Sequence, residues 1–553
     1  MLFRRALFLL LLLPCCAVPL WLLWRALGVG GFTLWEGAIL ALVAVIVPWI
    51  GTLAASSLIG FVLLFYARDP LPLVWRKPAG GAVFLRTALV LTVRNEDLAT
   101  ALAAQRALLD GLDAENFHFW VLSDTQDSAL AAAEEAAFQA FRLADPNLVR
   151  LHYRRRAENT GYKAGNVMDF VRHEGREYDA MLTLDADSVM APRTVLRLVR
   201  LMQAEPDCAL VQTLIAARPT ASVFPRLFQF GMRHGMRSYA TGIAWWQGPD
   251  GPYWGHNALL RLAAFRAHGA MPTLPNGERI LSHDQVEAAM LRAAGWQVRL
   301  DPNEDGSWEG NPPDMLSFLA RDTRWMAGNL QYFSLLRLPI FRAMGRVQLG
   351  LAILLFLMSP ILALVMLLGL ANAFDPAGQV DAGLGLLATW LLALLYWSPK
   401  LLGALETAID PARRAHWGGG ARLLRGVALE FVFDLLLLPI RAVSHSGAML
   451  GLLLGRKVGW APQQREAARL RWAVAARALW WHTLAGAALL SGFALAGGAA
   501  LAWAAPFLLG PLLAMPFAVL TTEPRLARRF VHHGTAAVPE EFRPHDPFPP
   551  LQP

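Results

Sequence analysis

The stretch MLTLDADSVM, residues 181–190, sets two carboxylates, Asp185 and Asp187, one residue apart at the end of an apolar run. Alternate residues of a strand point the same way, so the pair could face one ligand together. Hard oxygen ligands of this kind suit Mg2+ or Mn2+, which bind through one or two carboxylates plus substrate phosphates. A loop acid and a helix N-cap would give the same pattern. Other residues point toward the ligand. Asp124 closes another apolar run in WVLSDTQD. TVRNEDL (92–98) places Asn95 and Glu96 just after a third. NTGYKAGNVMDF (159–170) carries Lys163 between two glycines, suited to a phosphate or to an ordinary loop. LSHDQVEAAMLRAAGW (281–296) puts Asp284 at a helix start. A carboxylate there can cap the helix and also act as general base. RDTRWMAGNLQ (321–331) offers Arg324 and Trp325, a cation for a leaving phosphate beside a flat ring for a sugar. An amphipathic interfacial helix would carry that pattern too.

These residues need a scaffold. TALVLTV (87–93), FHFWVLSD (117–124), LVRLHYR (148–154) and AMLTLDAD (180–187) read as buried strands. Ala-rich helical stretches at 98–112 and 128–143 lie between them. Strands alternating with helices predict a parallel sheet covered on both faces, with ligands beyond the carboxyl ends of its strands. Residues 80–330 form this region, a length suited to one domain.

The flanks are of another kind. The chain of 553 residues is 55% hydrophobic and only 17% charged, against roughly 25% charged in soluble proteins. That composition indicates a membrane protein. The net charge of +8 then marks cytoplasmic loops rather than nucleic-acid binding. The three cysteines, Cys15, Cys16 and Cys208, show no metal or disulfide spacing. Apolar runs at 6–27 and 37–66 predict an N-terminal transmembrane hairpin over 1–67. Its link, GVGGFTLWE, has no basic residue, whereas Arg68, Arg76 and Lys77 follow it. The N-terminus and residue 68 onward are therefore expected in the cytosol. An interfacial region is expected at 331–346. A C-terminal bundle follows over 347–520, with runs at 347–371, 383–403, 424–455, 478–498 and 501–520. Both flanks of 424–455 are basic, so Pro439 and Arg441 are expected to break it into a hairpin or re-entrant segment. This gives seven or eight spans and a cytosolic tail over 521–553. A transporter with a nucleotide-binding module would need a G-x-x-x-x-G-K-[ST] loop, which the sequence lacks.

The order Asp124, Asp185/Asp187, Asp284 and RDTRW resembles the processive glycosyltransferase family 2 enzymes, the group of cellulose and hyaluronan synthases. Those carry three spaced Asp motifs and then Q-x-x-R-W. Here Arg321 stands where the family has Gln. With PYWGHNALLR (252–261), LSHDQVEAA and LLGRKVGWAPQQR (453–465), this variant is similar to the narrower group that makes osmoregulated periplasmic glucans. The resemblance covers roughly residues 85–465. The first apolar run begins near residue 6, so the long N-terminal extension of some members is not expected.

The resemblance implies an α/β GT-A-like cytosolic domain inserted between transmembrane α-helices, in the bacterial inner membrane. It implies inverting, processive transfer from UDP-glucose into a β-1,2-linked glucan; cellulose- or hyaluronan-type synthesis is the competing expectation. By the same resemblance Asn95, Glu96 and Asp124 would hold the uridine end, and Lys163 the diphosphate. Asp187, with Asp185 beside it, would ligate Mg2+ or Mn2+. Asp284 would take the acceptor proton, and Arg324 and Trp325 would cover the diphosphate and acceptor sugar. Trp254, His256 and Asn257 would line the acceptor site. The implied partners are UDP-glucose, the growing glucan chain, the lipid bilayer and acyl carrier protein, with no nucleic acid. Trp245, Trp246, Tyr332 and Phe333 would be sugar platforms or, for most of them, interfacial anchors.

Overall fold

The four apolar runs singled out in the sequence become neighbouring parallel strands in the computed structural model. It describes all residues except 68, 76–80, 146, 275–276, 457, 459–467, 543–547 and 549–553. The expectations resting on Arg68, Arg76, Lys77 and most of LLGRKVGWAPQQR fall outside the described residues, as does part of the tail.

The strands are β1 (Thr87–Val93), β2 (Phe117–Ser123), β3 (Leu151–Arg155), β4 (Ala180–Asp185), β5 (Val189–Met190), β6 (Cys208–Thr213), β7 (Ala216–Ala217), β8 (Ala258–Arg261), β9 (Gln297–Asp301) and β10 (Ser307–Glu309). Seven form one sheet in the order β3-β2-β1-β4-β8-β6-β9, and β5-β10-β7 form a small second sheet. The central strand β1 is apolar and buried because helices cover both faces. Helices Leu98–Asp110 and Ser128–Leu143 start at Asp97 and Asp127, whose carboxylates accept from the first free N–H groups.

The main sheet is mixed, not wholly parallel as predicted, because β8 runs antiparallel to both β4 and β6. After β7 the chain leaves for the long helix Val223–Gln247 and re-enters at the carboxyl end of β4. There the Asn257 N–H meets the Thr183 carbonyl at 2.7 Å, so β8 can only run back down the sheet.

Among the described residues, five helices are long and apolar enough to cross a membrane: Leu2–Leu27, Leu34–Tyr66, Ala343–Phe374, Ala382–Ile409 and Trp472–Ala496. Gly498–Leu512 and Ala514–Leu520, bent by 51°, would make a sixth as one broken span. The break expected near Pro439 is not formed: Gly420–Leu453 is one continuous helix. Arg441 and the other ionic groups along this helix pair sideways instead. Lys400 reaches Glu430 and Asp434 at 2.6 and 2.9 Å, and Arg441 lies 3.6 Å from Asp322. This helix keeps contact with residues bordering the catalytic domain, from Arg422 against Phe542 through Phe433 against Phe224 to His445 at Asp322.

Val223–Gln247 lies between the sheet and the membrane helices and is buried over most of its length. Small residues let it press against its neighbours. A Cβ at Gly60 would overlap the Ser238 carbonyl, and one at Gly242 would overlap the Ser56 carbonyl. Backbone cannot yield as a side chain can, so Gly242→Val should destabilise the chain by at least about 3 kcal/mol. The check is the thermal aggregation midpoint of detergent-purified protein, with Gly350→Val, where the added Cβ has open space, expected to stay near wild type.

Candidate active site

The carboxyl ends of β1, β2 and β4 carry the first group of acids. Register pairs Val93 with Ser123 and Thr92 with Asp185, so Asp124 and Asp185 emerge at one sheet edge. The Asp124 carboxylate accepts from Nε and Nη2 of Arg156 at 2.8 and 2.9 Å. Asn95 adopts a left-handed conformation, φ 56°, and its N–H donates to Thr125 Oγ1 at 2.7 Å. Its buried Oδ1 has no hydrogen-bond partner among the described residues. Glu96 follows it in the same loop.

Asp185 and Asp187 do not alternate along one strand as expected. β4 ends at Asp185, whose N–H donates to Ser188 Oγ at 2.9 Å while its carbonyl accepts from the Ser188 N–H at 2.9 Å. This turn carries Asp187 out of the sheet. Lys163, in the first turn of helix Tyr162–Arg172, pairs with Asp185 and donates to the Gly255 carbonyl at 3.0 Å. Burial opposes the lysine charge, but Asp185 outweighs it and the pKa is raised. Asp284 and Glu287 act in the same direction, which puts the base-motif acids beside the phosphate-motif lysine.

The loop before β8 reaches both groups. His256 Nδ1 lies 3.8 Å from Asp185 Oδ2, and its Nε2 lies 2.7 Å from Glu309 Oε2. Burial lowers the imidazole pKa, yet Asp185 and Glu309 carry it up to about 9. Gly255, at φ 89°, leaves room for the base motif, since a Cβ there would overlap the Asp284 carboxylate. Trp254 is half-buried, its N–H held by Gln212 Oε1 at 2.8 Å. Asn257 corrects an expectation. It is 0% exposed, and its Nδ2 donates to Ser307 Oγ and the Trp308 carbonyl at 3.0 and 3.2 Å. It fastens β10 to the loop.

Asp284 opens helix Asp284–Ala293. His283 Nδ1 lies 3.2 Å from Asp284 Oδ1 and 3.1 Å from Glu287 Oε1. These three residues bring ligand atoms within 4.8 Å of one another. Burial lowers the His283 pKa, but Asp284 and Glu287 raise it to about 9. The two carboxylates thus share one imidazole nitrogen as an ion-paired cluster.

Helix Met315–Leu330 carries RDTRW across the site. Trp325 is 44% exposed, and the Arg321 guanidinium stacks 4.5 Å from its centroid. Burial lowers the Arg321 pKa, against the pull of Asp322, Glu309 and Asp187. The half-buried Arg324 is lowered by burial and then by Arg321.

A divalent cation fits best at Asp187. Gly310 borders that carboxylate, and a Cβ there would sit 3.0 Å from Asp187 Oδ2, so the missing side chain leaves space for a ligand. Asp185 pairs with Lys163 and lies 3.8 Å from His256. Arg156, Glu309, His283 and Glu287 were not anticipated from the sequence. Only His283 and Glu287 carry a local signal, a spacing of four on one helix face.

Residues 88–269 match the family described as Glycosyl transferase family 2, and 180–400 match Glycosyl transferase family group 2. The chain is 34% identical over 554 residues to glucans biosynthesis glucosyltransferase H of Caulobacter vibrioides, covering 94% of this chain and 83% of that one. The protein of that name from Xanthomonas campestris pv. campestris is 33% identical, with 96% and 86% covered. That from Shewanella oneidensis is 35% identical, with 94% and 74% covered. Among solved structures, the mannosyltransferase PcManGT from Pyrobaculum calidifontis in complex with GDP-Man and Mn2+ aligns at 18% identity and TM-score 0.41, over 66% of this chain and 99% of that one. Nothing in these relatives or in the described residues supports an acyl carrier protein partner.

A raised histidine pKa stabilises the fold fully below its unfolded value of about 6.5 and loses that contribution as pH climbs through the folded value. For His283, raised to about 9, the window is therefore pH 6.5 to 9, worth at most about 3 kcal/mol. The stability gap between wild type and His283→Gln, followed by thermal unfolding, should shrink steadily across that window. A gap that does not change with pH would remove the ion pair.

Proposed function

The chain belongs to the glucans biosynthesis glucosyltransferase H family within glycosyltransferase family 2, and we propose that it transfers glucose from UDP-glucose, with inversion, to a growing β-1,2-linked glucan. It is a glycosyltransferase of glucan synthesis, acting on a nucleotide sugar and a glycan acceptor, with membrane helices flanking a GT-A-like domain. The donor, linkage, processivity, coupled translocation and inner-membrane location belong to the proposal.

The observation that carries it is the meeting of Lys163, Asp185, His256 and Asp284 around Gly255, with the RDTRW helix beside them. The uridine end is assigned to the pocket formed by Asn95, Glu96 and Asp124 at the sheet edge. Lys163 and Arg321 stand where negative charge collects as the sugar–phosphate bond breaks. Asp284 accepts the proton of the acceptor hydroxyl as its oxygen attacks the anomeric carbon from the face opposite the leaving UDP. His283 and Glu287 hold that carboxylate in place. Trp325 offers a ring face to the acceptor sugar, with Trp254 and His256 at its side. Asp187 would hold Mg2+ or Mn2+, which when bound supplies further neutralisation of the diphosphate. An acceptor site beside membrane helices lets the lengthening chain pass toward the bilayer without leaving the enzyme.

Asp284→Asn should lower glucan synthesis by at least about a thousandfold, the general-base contribution being on the order of 10²–10⁴, while UDP-glucose affinity stays within about twofold of wild type. Radiolabelled incorporation and equilibrium binding on the same membranes check both halves. Polymer made at the normal rate would take Asp284 out of the mechanism, and a β-1,4 product on linkage analysis would reject the assigned glucan. Asp187→Asn should raise the half-saturating Mn2+ concentration by about tenfold or more, from the loss of one charged ligand. A metal titration that coincides with wild type would exclude that role.

A further inference from the structure

At the end of helix Asp284–Ala293 away from Asp284, a cleft of about 660 Å³ opens along the edge strand β9, lined by Met1, Arg4, Trp75, Arg292, Arg299 and Arg342 among others. No step of the transfer uses it. Its first property is charge. With Arg5 beside it, five guanidiniums surround the cleft. Among the described residues here, two carboxylates answer them: Asp250, shared by Arg5 and Arg292, and Glu205, 2.9 Å from Arg299. Arg4 instead donates to the Trp245 and Leu73 carbonyls at 3.2 and 3.3 Å and lies over the Trp245 ring. Arg299 lies over the Trp75 ring, 4.4 Å from its centroid. Backbone carbonyls and a ring thus fix Arg4 without neutralising it, and a planar guanidinium held in place is the preferred receptor for a phosphate.

Its second property is position. Two membrane helices begin at this cleft, Leu2–Leu27 after Met1 and Ala343–Phe374 after Arg342. Their N-terminal N–H groups add partial positive charge at the same place. Beside Met1, Leu2 and Phe3 are 88% and 73% exposed, apolar surface that suits acyl chains rather than water. Cations, helix starts and apolar side chains at one level describe the boundary where lipid headgroups lie.

We propose that this cleft binds the phosphate of an anionic phospholipid from the leaflet facing the catalytic domain, with Arg4 and Arg342 as its principal contacts and Arg292 and Arg299 as its wall. A soluble phosphoester has the same chemistry, so the test must separate the two sources. The full chain, purified in neutral detergent, would be equilibrated with phosphatidylglycerol or phosphatidylcholine and the bound lipid counted by native mass spectrometry. Phosphatidylglycerol should be retained about tenfold over phosphatidylcholine. Arg4→Gln combined with Arg342→Gln should bring that ratio close to one. Glu205→Gln removes a competing carboxylate and should raise the ratio, a gain that misfolding would not produce. Excess glycerophosphoglycerol should leave the bound lipid in place. Equal retention of the two lipids by wild type, or an unchanged ratio in the double arginine variant, would overturn the site. Displacement of the lipid by the soluble headgroup would overturn its assignment to the membrane.

Discussion

Glu304, in the turn after β9, is shared by Arg233 at 2.8 Å and Arg413 at 3.3 Å, and the joining of the two halves of this protein depends on that sharing. Arg233 lies on the buried helix Val223–Gln247 and also pairs with Glu540. Arg413 lies just past the membrane helix Ala382–Ile409 and reaches Glu406 at 3.1 Å, which also takes Arg237 at 3.5 Å. Arg226 adds Glu541 at 2.7 Å. Burial alone would raise the Glu304 carboxyl, but Arg233, Arg413 and Arg237 hold it down to about 2. Such a web adds little net stability, since desolvation offsets the attraction, yet removing one partner strands a buried charge at roughly 3–5 kcal/mol. Its effect is to fix one arrangement of catalytic sheet, interface helix and membrane helix.

The web also touches the site. Trp308 Nε1 donates to Glu540 Oε1 at 3.0 Å, and Phe548 packs edge-on against the Trp308 ring at 5.1 Å. The next residue, Glu309, holds His256, which stands beside Asp185 and so beside Lys163. Contact is continuous from the C-terminal segment to the phosphate lysine. Contiguity of this kind establishes position, and makes no statement about signalling. It explains how the short strand β10 holds His256 in place: Asn257 bonds β10 from one side and Glu540 bonds it from the other.

Much of this was legible in the sequence because strands and spans depend on local patterning. TALVLTV and AMLTLDAD could be read as buried strands from composition alone, and the Asp and Lys motifs stand at their ends. The failures share a cause. Arg156 and Asp124 are 32 residues apart, and His256 and Glu309 are 53 apart; no period announces which lone cation will meet which lone acid. Asn257 enters through the resemblance alone, and the backbone turn at φ 49° aims its side chain toward β10. The direction of β8 depended on where the chain returned from the interface helix, which is a tertiary fact. Pro439 suggested a break that side-chain pairing with Lys400 and Asp322 made unnecessary.

The departure at Arg321 can be weighed by charge. Neighbouring residues on a helix point about 100° apart, so Asp322 faces away, toward Arg441 and His445 at 3.6 and 3.5 Å, while Arg321 turns to Trp325 and the acids. One face of the helix is anchored to Gly420–Leu453, and the other forms the roof of the site. Beneath it, Lys163, His256, His283 and Arg321 stand against Asp185, Asp187, Asp284, Glu287 and Glu309, a set close to balance. A nucleoside diphosphate would bring about two negative charges into that buried space. Left uncompensated they would be expensive in a low-dielectric pocket. A glutamine at position 321 would leave the deficit one charge larger. Under the proposed function the arginine would supply part of the compensation, and a divalent cation held at Asp187 would supply the rest.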